Sequence, residues 1–432
     1  MDGSWSELLK PFSQSLAAVG PMLNVVGLFS VIAGLVGGYL IYAVILAFII
    51  TILNIYVPFR ASKQITTNGG YYTLAGIYLG KKAGIFTSIV YLIYGILAFP
   101  SITLFQFTLL NFFLNSLTSL YITIFIMIIT VLIIIRGFDL TINYLKYLTF
   151  LEITFILILD SLMCLRGNAT VPSITIAPMN AWGFWVALLF SLLMFAGLGS
   201  SLFISENTNS GKRNVPKGIL NAYALSGILM VFSAYSIVKF LGNNISSYAS
   251  NPYVILNIIG MNFGSMVFYL VILFSLLSSV NLSLAYLNAW RNAIDKMGKD
   301  KILIRFGSRD AILLALLMTL LILFISFRFN EGFVGFVMVT GLVSLFYLTV
   351  HIISNVSYFK QVLIEMNKYG ISIIVASTIL LFATVVITIY GDISNMIMES
   401  YFLYLSLLSL GFISVVIYSI KGNAESVEIQ YY

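Results

Sequence analysis

Long, nearly charge-free apolar runs recur along this chain. Twelve of them can be read, at roughly 14–37, 38–58, 84–114, 117–135, 140–165, 181–206, 216–241, 261–290, 311–327, 332–357, 370–390 and 397–420. A helix of about 20 apolar residues crosses a ~30 Å hydrocarbon core, and lipid offers no partner to a bare backbone N–H or C=O. The chain is therefore expected to be an all-α polytopic membrane protein of twelve transmembrane helices. Its 432 residues are 60% hydrophobic and 9% charged, against about 25% charged in soluble domains, so a water-soluble enzyme is excluded. No soluble domain is expected, since the longest loops are 59–83 and 291–310. The aromatic stretch 69–80 reads as a short interfacial helix, and the polar tail after Lys421 as disordered.

The net charge of +7 does not indicate a nucleic-acid partner, because no polar domain carries a basic face. The charges sort by loop instead. With the N-terminus inside, nineteen of the 22 Lys and Arg fall on the cytoplasmic side, among them Arg60, Lys63, Lys212, Arg213 and Arg291, against Arg166, Lys239 and Arg328 outside. That asymmetry predicts a multi-pass protein of the cell membrane with both termini cytoplasmic. The lead into the first span is too short and acidic for a cleavable signal. One cysteine, Cys164, and one histidine, His351, exclude a thiolate cluster or a multi-histidine metal site. His351 reads as a neutral, hydrogen-bonded packing residue.

Two spans are interrupted. The first contains Ala18-Val19-Gly20-Pro21-Met22, and the sixth Phe195-Ala196-Gly197-Leu198-Gly199. Proline removes a backbone donor and clashes with the preceding turn, and unwound backbone is tolerated in a membrane only where it lines a cavity or is buried in protein. These two spans open successive five-span units, 14–165 and 181–327, which places the breaks at corresponding positions of an inverted repeat. Freed N–H groups at a half-helix N-terminus suit a carboxylate, and freed carbonyls suit an ammonium group. A pair of breaks thus suits a zwitterion, although Gly and Pro also serve plain helix packing in membranes.

Further along, Ser205-Glu206-Asn207-Thr208-Asn209-Ser210-Gly211-Lys212-Arg213-Asn214-Val215-Pro216-Lys217 resembles the segment after helix six in the amino acid–polyamine–organocation family of permeases. Gly69-Gly70-Tyr71-Tyr72-Thr73, Leu79-Gly80-Lys81-Lys82 and Ala289-Trp290-Arg291-Asn292-Ala293 are similar to that family's entry to helix three and exit from helix eight. The resemblance implies a LeuT-type fold of ten core helices in two inverted repeats, within one domain over 1–432, with two peripheral helices over about 370–420. It also implies alternating-access transport of amino acids or related amines, without a cofactor. The substrate site maps by resemblance to Ala18, Val19, Gly20, Pro21, Met22, Phe195, Ala196, Gly197, Leu198 and Gly199, with Phe195 placed to roof the substrate. Gly199 stands where many relatives carry a glutamate after the helix-six break, which favours a neutral or apolar amino acid.

Ionisable groups inside a bilayer are costly and functional by default. Glu152, midway along the fifth span, is the candidate proton-coupling group, or else a packing hydrogen-bond acceptor. Asp160 reads as a solvated outer end. Glu206, beside Lys212 and Arg213, is a candidate gate or structural salt bridge. Ser275, Ser278, Ser279 and Asn281 form a hydroxyl stripe; Ser278 and Ser279 could complete a sodium site with helix-one carbonyls, or simply pack helices. The drivers left open are a proton, sodium and exchange for an internal amino acid or polyamine. Asn168 and Asn244 match the glycosylation pattern in outer loops, but so does Asn281 inside a span, so the pattern decides nothing.

Overall fold

A computed structural model of the chain describes residues 2–171, 181–250, 253–303, 307–394 and scattered positions from 403 to 431. The described residues form helices and turns. In chain order the α-helices are α1 (Asp2–Ala17), α2 (Pro21–Leu23), α3 (Phe29–Val36), α4 (Leu40–Asn54), α5 (Tyr56–Gln64), α6 (Tyr71–Leu79), α7 (Lys81–Asn111), α8 (Ser116–Arg136) and α9 (Phe138–Arg166). They continue with α10 (Ala181–Leu193), α11 (Gly211–Leu241), α12 (Ile245–Ser250), α13 (Val254–Phe263), α14 (Ser265–Lys299), α15 (Ser308–Phe329), α16 (Gly332–Ile364) and α17 (Lys368–Ser394).

Among the described residues, ten helical runs are long and apolar enough to cross a membrane. The first, Ser6–Gln64, is 59 residues long and holds the first two expected spans, divided at Gly37, whose φ of 57° and ψ of −134° end the helix. The expected twelfth span, 397–420, lies almost wholly outside the described residues. The eighth span differs in extent: Gly264 (φ 89°) separates α13 from α14, and α14 runs on to Lys299, so much of the expected loop 291–310 is helix. Capping follows the sequence locally. Asn115 accepts from the Thr118 N–H at 2.8 Å to start α8, and Arg136 lies in its last turn before Gly137, where a cation suits the dipole.

The sixth span is 94% buried over its most apolar window, against 33% for α8, α15 and α17. The interrupted span is thus the central element, and α8, α15 and α17 turn residues such as Phe125, Leu132, Leu317 and Phe324 outward. Around the centre, α1 packs on α11, α9 and the sixth span, α14 on α7 and α9, and α16 on α7. The stretch expected as an interfacial helix is α6, buried against α7 and α16 rather than lying free.

The C-terminal residues 427–431 correct the expectation of a disordered tail. Val427 is fully buried, and the Ile429 side chain sits against Gly76 of α6 and Gly84 of α7. The N–H groups of Glu428 and Gln430 donate to the Asp300 carbonyl and Oδ1, both at 3.2 Å. Asp300 is also held by Lys296 Nζ at 2.7 Å and the Tyr72 hydroxyl at 3.0 Å. A buried carboxylate is tolerated when paired and hydrogen-bonded, and here the tail supplies part of the pairing.

Candidate functional site

The first break begins where α1 ends at Ala17. The N–H groups of Val19 and Gly20 donate to Leu16 and Ala17 carbonyls at 3.1 Å, tightening the last turn. Gly20 is left-handed (φ 61°, ψ 60°), a conformation that favours glycine, and a Cβ there would also meet the Leu282 side chain. Pro21 then occupies the first position of α2, where its missing N–H is no loss. A π-helical turn over Asn24–Leu28 leads into α3. At the second break, α10 gives way after Leu193 to a 3-10 helix over Ala196–Asn207. Runs of this type rarely exceed 3–4 residues and often mark hinges.

The two breaks touch. A Cβ on Gly197 would overlap the Ala18 carbonyl, so only glycine allows this approach. The Ser15 hydroxyl donates to the Leu198 carbonyl at 2.8 Å, and the Ser200 hydroxyl to the Gln14 carbonyl at 3.1 Å. Gln14 in turn donates to Ala285 O at 2.7 Å and accepts from Asn288 at 2.9 Å, tying the pair to α14. Asn24 Nδ2 returns to the freed Val19 carbonyl at 2.9 Å.

The freed N–H groups of the first break have partners within the chain. The Met22 N–H donates to Glu152 Oε1 at 2.9 Å and the Leu23 N–H to Ser278 Oγ at 3.1 Å. Ser278 in turn donates to Glu152 Oε1, and Asn281 Nδ2 donates to Oε2 at 3.3 Å. Glu152 is 2% exposed. The positive end of a half-helix favours an anion, and the anion at this one is the chain's own side chain from α9. The sequence places an external carboxylate there; the geometry gives the position to Glu152.

The candidate site residues separate accordingly. Ala18 and Val19 line a cavity of about 40 Å³ together with Asn24, Ser101, Tyr286 and Thr340. That is room for roughly three waters at ~10–15 Å³ each, so the site is closed down. Ala196 and Gly197 line a second cavity, of about 30 Å³, on the α6 side of the breaks. Gly20 faces Leu282 of α14, Met22 is turned to Glu152, and Gly199 abuts the Tyr71 hydroxyl. Phe195 lines neither cavity; its ring packs 6.2 Å from Phe48 of α4. Among the described residues, no charged side chain lines either cavity.

Other expectations shift. Ser279 donates to Leu276 O at 2.6 Å and accepts from Gln106 at 3.0 Å, while Ser278 lies between Glu152 and the Leu23 N–H. Glu206 accepts from the Asn68 N–H at 3.0 Å, and among the described residues no ion pair joins it to Lys212 or Arg213. Glu206 thus anchors the loop before α6. Asp160 is not a solvated end: it is fully buried, with Ser233 of α11 donating to Oδ2 and no partner at Oδ1 among the described residues. His351 is buried but not hydrogen-bonded, since neither ring nitrogen has a partner among the described residues. Its place is beside the Tyr71 and Tyr347 rings, at 4.7 and 4.5 Å, in the second cavity. Sequence reasoning missed that aromatic chamber, and the only signal for it was an unusually tyrosine-rich chain.

Residues 9–420 match the family model described as "Amino acid permease". No curated protein matches the chain. Three solved structures of a manganese transporter from Eremococcus coleocola, variants with a histidine changed to alanine or a glutamate to glutamine or alanine, are similar in fold. Their TM-scores are 0.59, 0.60 and 0.59 at 12% identity, covering 99% of this chain and 97% of that one.

Proposed function

Because the chain belongs to the amino acid permease family, and is thus a multi-pass membrane transporter, we propose that it moves a neutral or apolar amino acid by alternating access, coupled to protons through Glu152. The observation that carries this reading is the tie between Glu152 and the helix-one break. As an ionised acceptor, Glu152 holds the Met22 N–H, Ser278 and Asn281 together, and so fixes α2 against α9 and α14. Protonation removes the anion from the half-helix N-terminus and turns Oε2 from an acceptor into a donor facing the Asn281 amide, which weakens the hold on α2 and lets helix one pivot at Gly20. The substrate enters beside Ala18 and Val19, where walls of apolar side chains with Asn24, Ser101 and Thr340 match a neutral solute. An amino acid is larger than this cavity, so the structure corresponds to a closed step of the cycle. The Lys and Arg asymmetry supports a cytoplasmic side for both termini and for the end of the bundle that carries α6.

The sodium reading is the weaker one. The Ser278 hydroxyl already accepts from the Leu23 N–H and donates to Glu152, and the Ser279 hydroxyl accepts from Gln106 and donates to Leu276 O, which leaves the pair engaged within the chain. Manganese is the cargo of the similar structures; among the described residues no group of three or more His, Cys, Asp or Glu converges as a metal site, so nothing carries that cargo over.

The test is uptake of a radiolabelled amino acid mixture into proteoliposomes under an inward proton gradient, an inward sodium gradient or internal unlabelled amino acids. Proton-driven accumulation that becomes insensitive to pH in Glu152→Gln is the expected result. No uptake of any amino acid by folded, oriented protein overturns the substrate, and sodium-driven uptake overturns the coupling.

A further inference from the structure

The second cavity is walled by seven aromatic rings from five helices: Tyr71 of α6, Tyr91 and Tyr94 of α7, Phe203 of the 3-10 helix, Tyr286 of α14, and Tyr347 and His351 of α16. Three polar atoms there, Tyr71 Oη and both nitrogens of His351, are buried without a partner among the described residues. A buried polar group left without a partner is costly, and orphans on the wall residues of one void indicate that an occupant belongs in it. The chemistry of the wall selects that occupant. A neutral imidazole always offers one acceptor nitrogen, and phenol oxygens offer lone pairs. The faces of tyrosine rings attract a cation, as in aromatic cages for ammonium groups. A volume of about 30 Å³ admits a head group rather than a whole amino acid.

Position gives the chamber its role. Tyr286 belongs to the walls of both cavities, and its hydroxyl accepts from Tyr94 at 2.8 Å. On the backbone side, Gly197 of the chamber abuts Ala18 of the central cavity. A solute leaving the centre toward α6 meets this void next.

We propose that the chamber is a second solute subsite, which takes the ammonium group of an amino acid or small amine passing between the central cavity and the α6 side of the membrane. The identity of the solute rests on the proposed transport function; ammonium binding in the chamber does not.

The experiment is saturation-transfer NMR on the purified full chain in nanodiscs, with methylammonium as probe and methanol as the neutral molecule of equal heavy-atom count. Transfer to methylammonium at least threefold above methanol is expected. Replacing the acceptors while keeping the rings, in Tyr71→Phe with His351→Phe, should return it to the methanol level. Ala196→Leu, which fills the chamber from the backbone side, should do the same if the double variant fails to fold. Equal transfer to both probes, or methylammonium transfer unchanged in these variants, overturns the proposal. Methylammonium binding without amino acid uptake in proteoliposomes would reject the transport reading and keep the chamber; uptake without methylammonium binding would do the reverse.

Discussion

Glu152 is the position at which stability and transport can be separated by substitution. Glu152→Leu leaves three donors behind: the Met22 N–H, the Ser278 hydroxyl and the Asn281 amide. The Asn281 amide keeps its 3.0 Å bond to Thr149, and the Ser278 hydroxyl can turn to a carbonyl of its own helix. The Met22 N–H has no such substitute, so it carries the full penalty of about 1–3 kcal/mol. Loss of an anion at a half-helix N-terminus adds about 0.3–1 kcal/mol. With partial losses at the other two donors, the expected cost is ~2–4 kcal/mol. Glu152→Gln is different. Its amide oxygen can keep the Oε1 position, and its NH2 then faces Asn281, whose Oδ1 has no partner among the described residues. A flip of the Asn281 amide presents that oxygen to both Gln and the Thr149 hydroxyl, so the cost should stay within ~1 kcal/mol. SDS-titration unfolding in mixed micelles measures both values, and uptake against pH measures coupling. A Leu variant within 1 kcal/mol of wild type would show that the break does not depend on Glu152. A Gln variant as damaged as Leu would show that charge, not acceptor geometry, holds the break.

Three further outcomes follow from particular contacts. Gly197→Ala drives a methyl group into the Ala18 carbonyl; overpacking of this kind costs about 1–3 kcal/mol, and a lowered thermal midpoint with lost uptake is expected, while full uptake would refute the close approach. Ile429→Asp places a charge against Gly76 and Gly84, so hydrogen exchange at the Glu428 and Gln430 amides should rise at least tenfold; unchanged protection would mean that Asp300 alone holds the tail. At the end of α16, the hydrogen bond from Gln361, together with those from Gln64 and the Arg60 guanidinium, lowers the Glu365 carboxyl from its usual value. A lowered folded value stabilises above the ordinary carboxylate range and is lost as pH falls through the folded value. The thermal midpoint of Glu365→Gln should therefore lie below wild type at neutral pH, with the gap closing in acid; a gap that persists in acid would refute the ionic contribution.

The membrane class, the long apolar helices and the two breaks were legible in the sequence because each is a local matter. Lipid demands runs of apolar residues, and Gly20-Pro21 or the Gly197-Leu198-Gly199 run weakens a helix through its own backbone chemistry. Residues 14–37 already indicated that a half-helix N-terminus would need an anion. That the anion is Glu152, 130 positions away, depends on how α9 is rotated against α2. A soluble helix advertises its rotation by a polar face, but a membrane helix is apolar on its lipid side and its protein side alike, so hydropathy is silent about which residues meet. For the same reason Phe195 turned to Phe48 instead of the cavity, Asp160 turned inward to Ser233, and seven rings from five separate helices closed on one chamber. The sequence by itself determined that this chain crosses the membrane many times and where its helices give way. Only tertiary packing decided what fills the gaps, because in lipid the choice between faces rests on shape and hydrogen bonding between helices rather than on avoiding water.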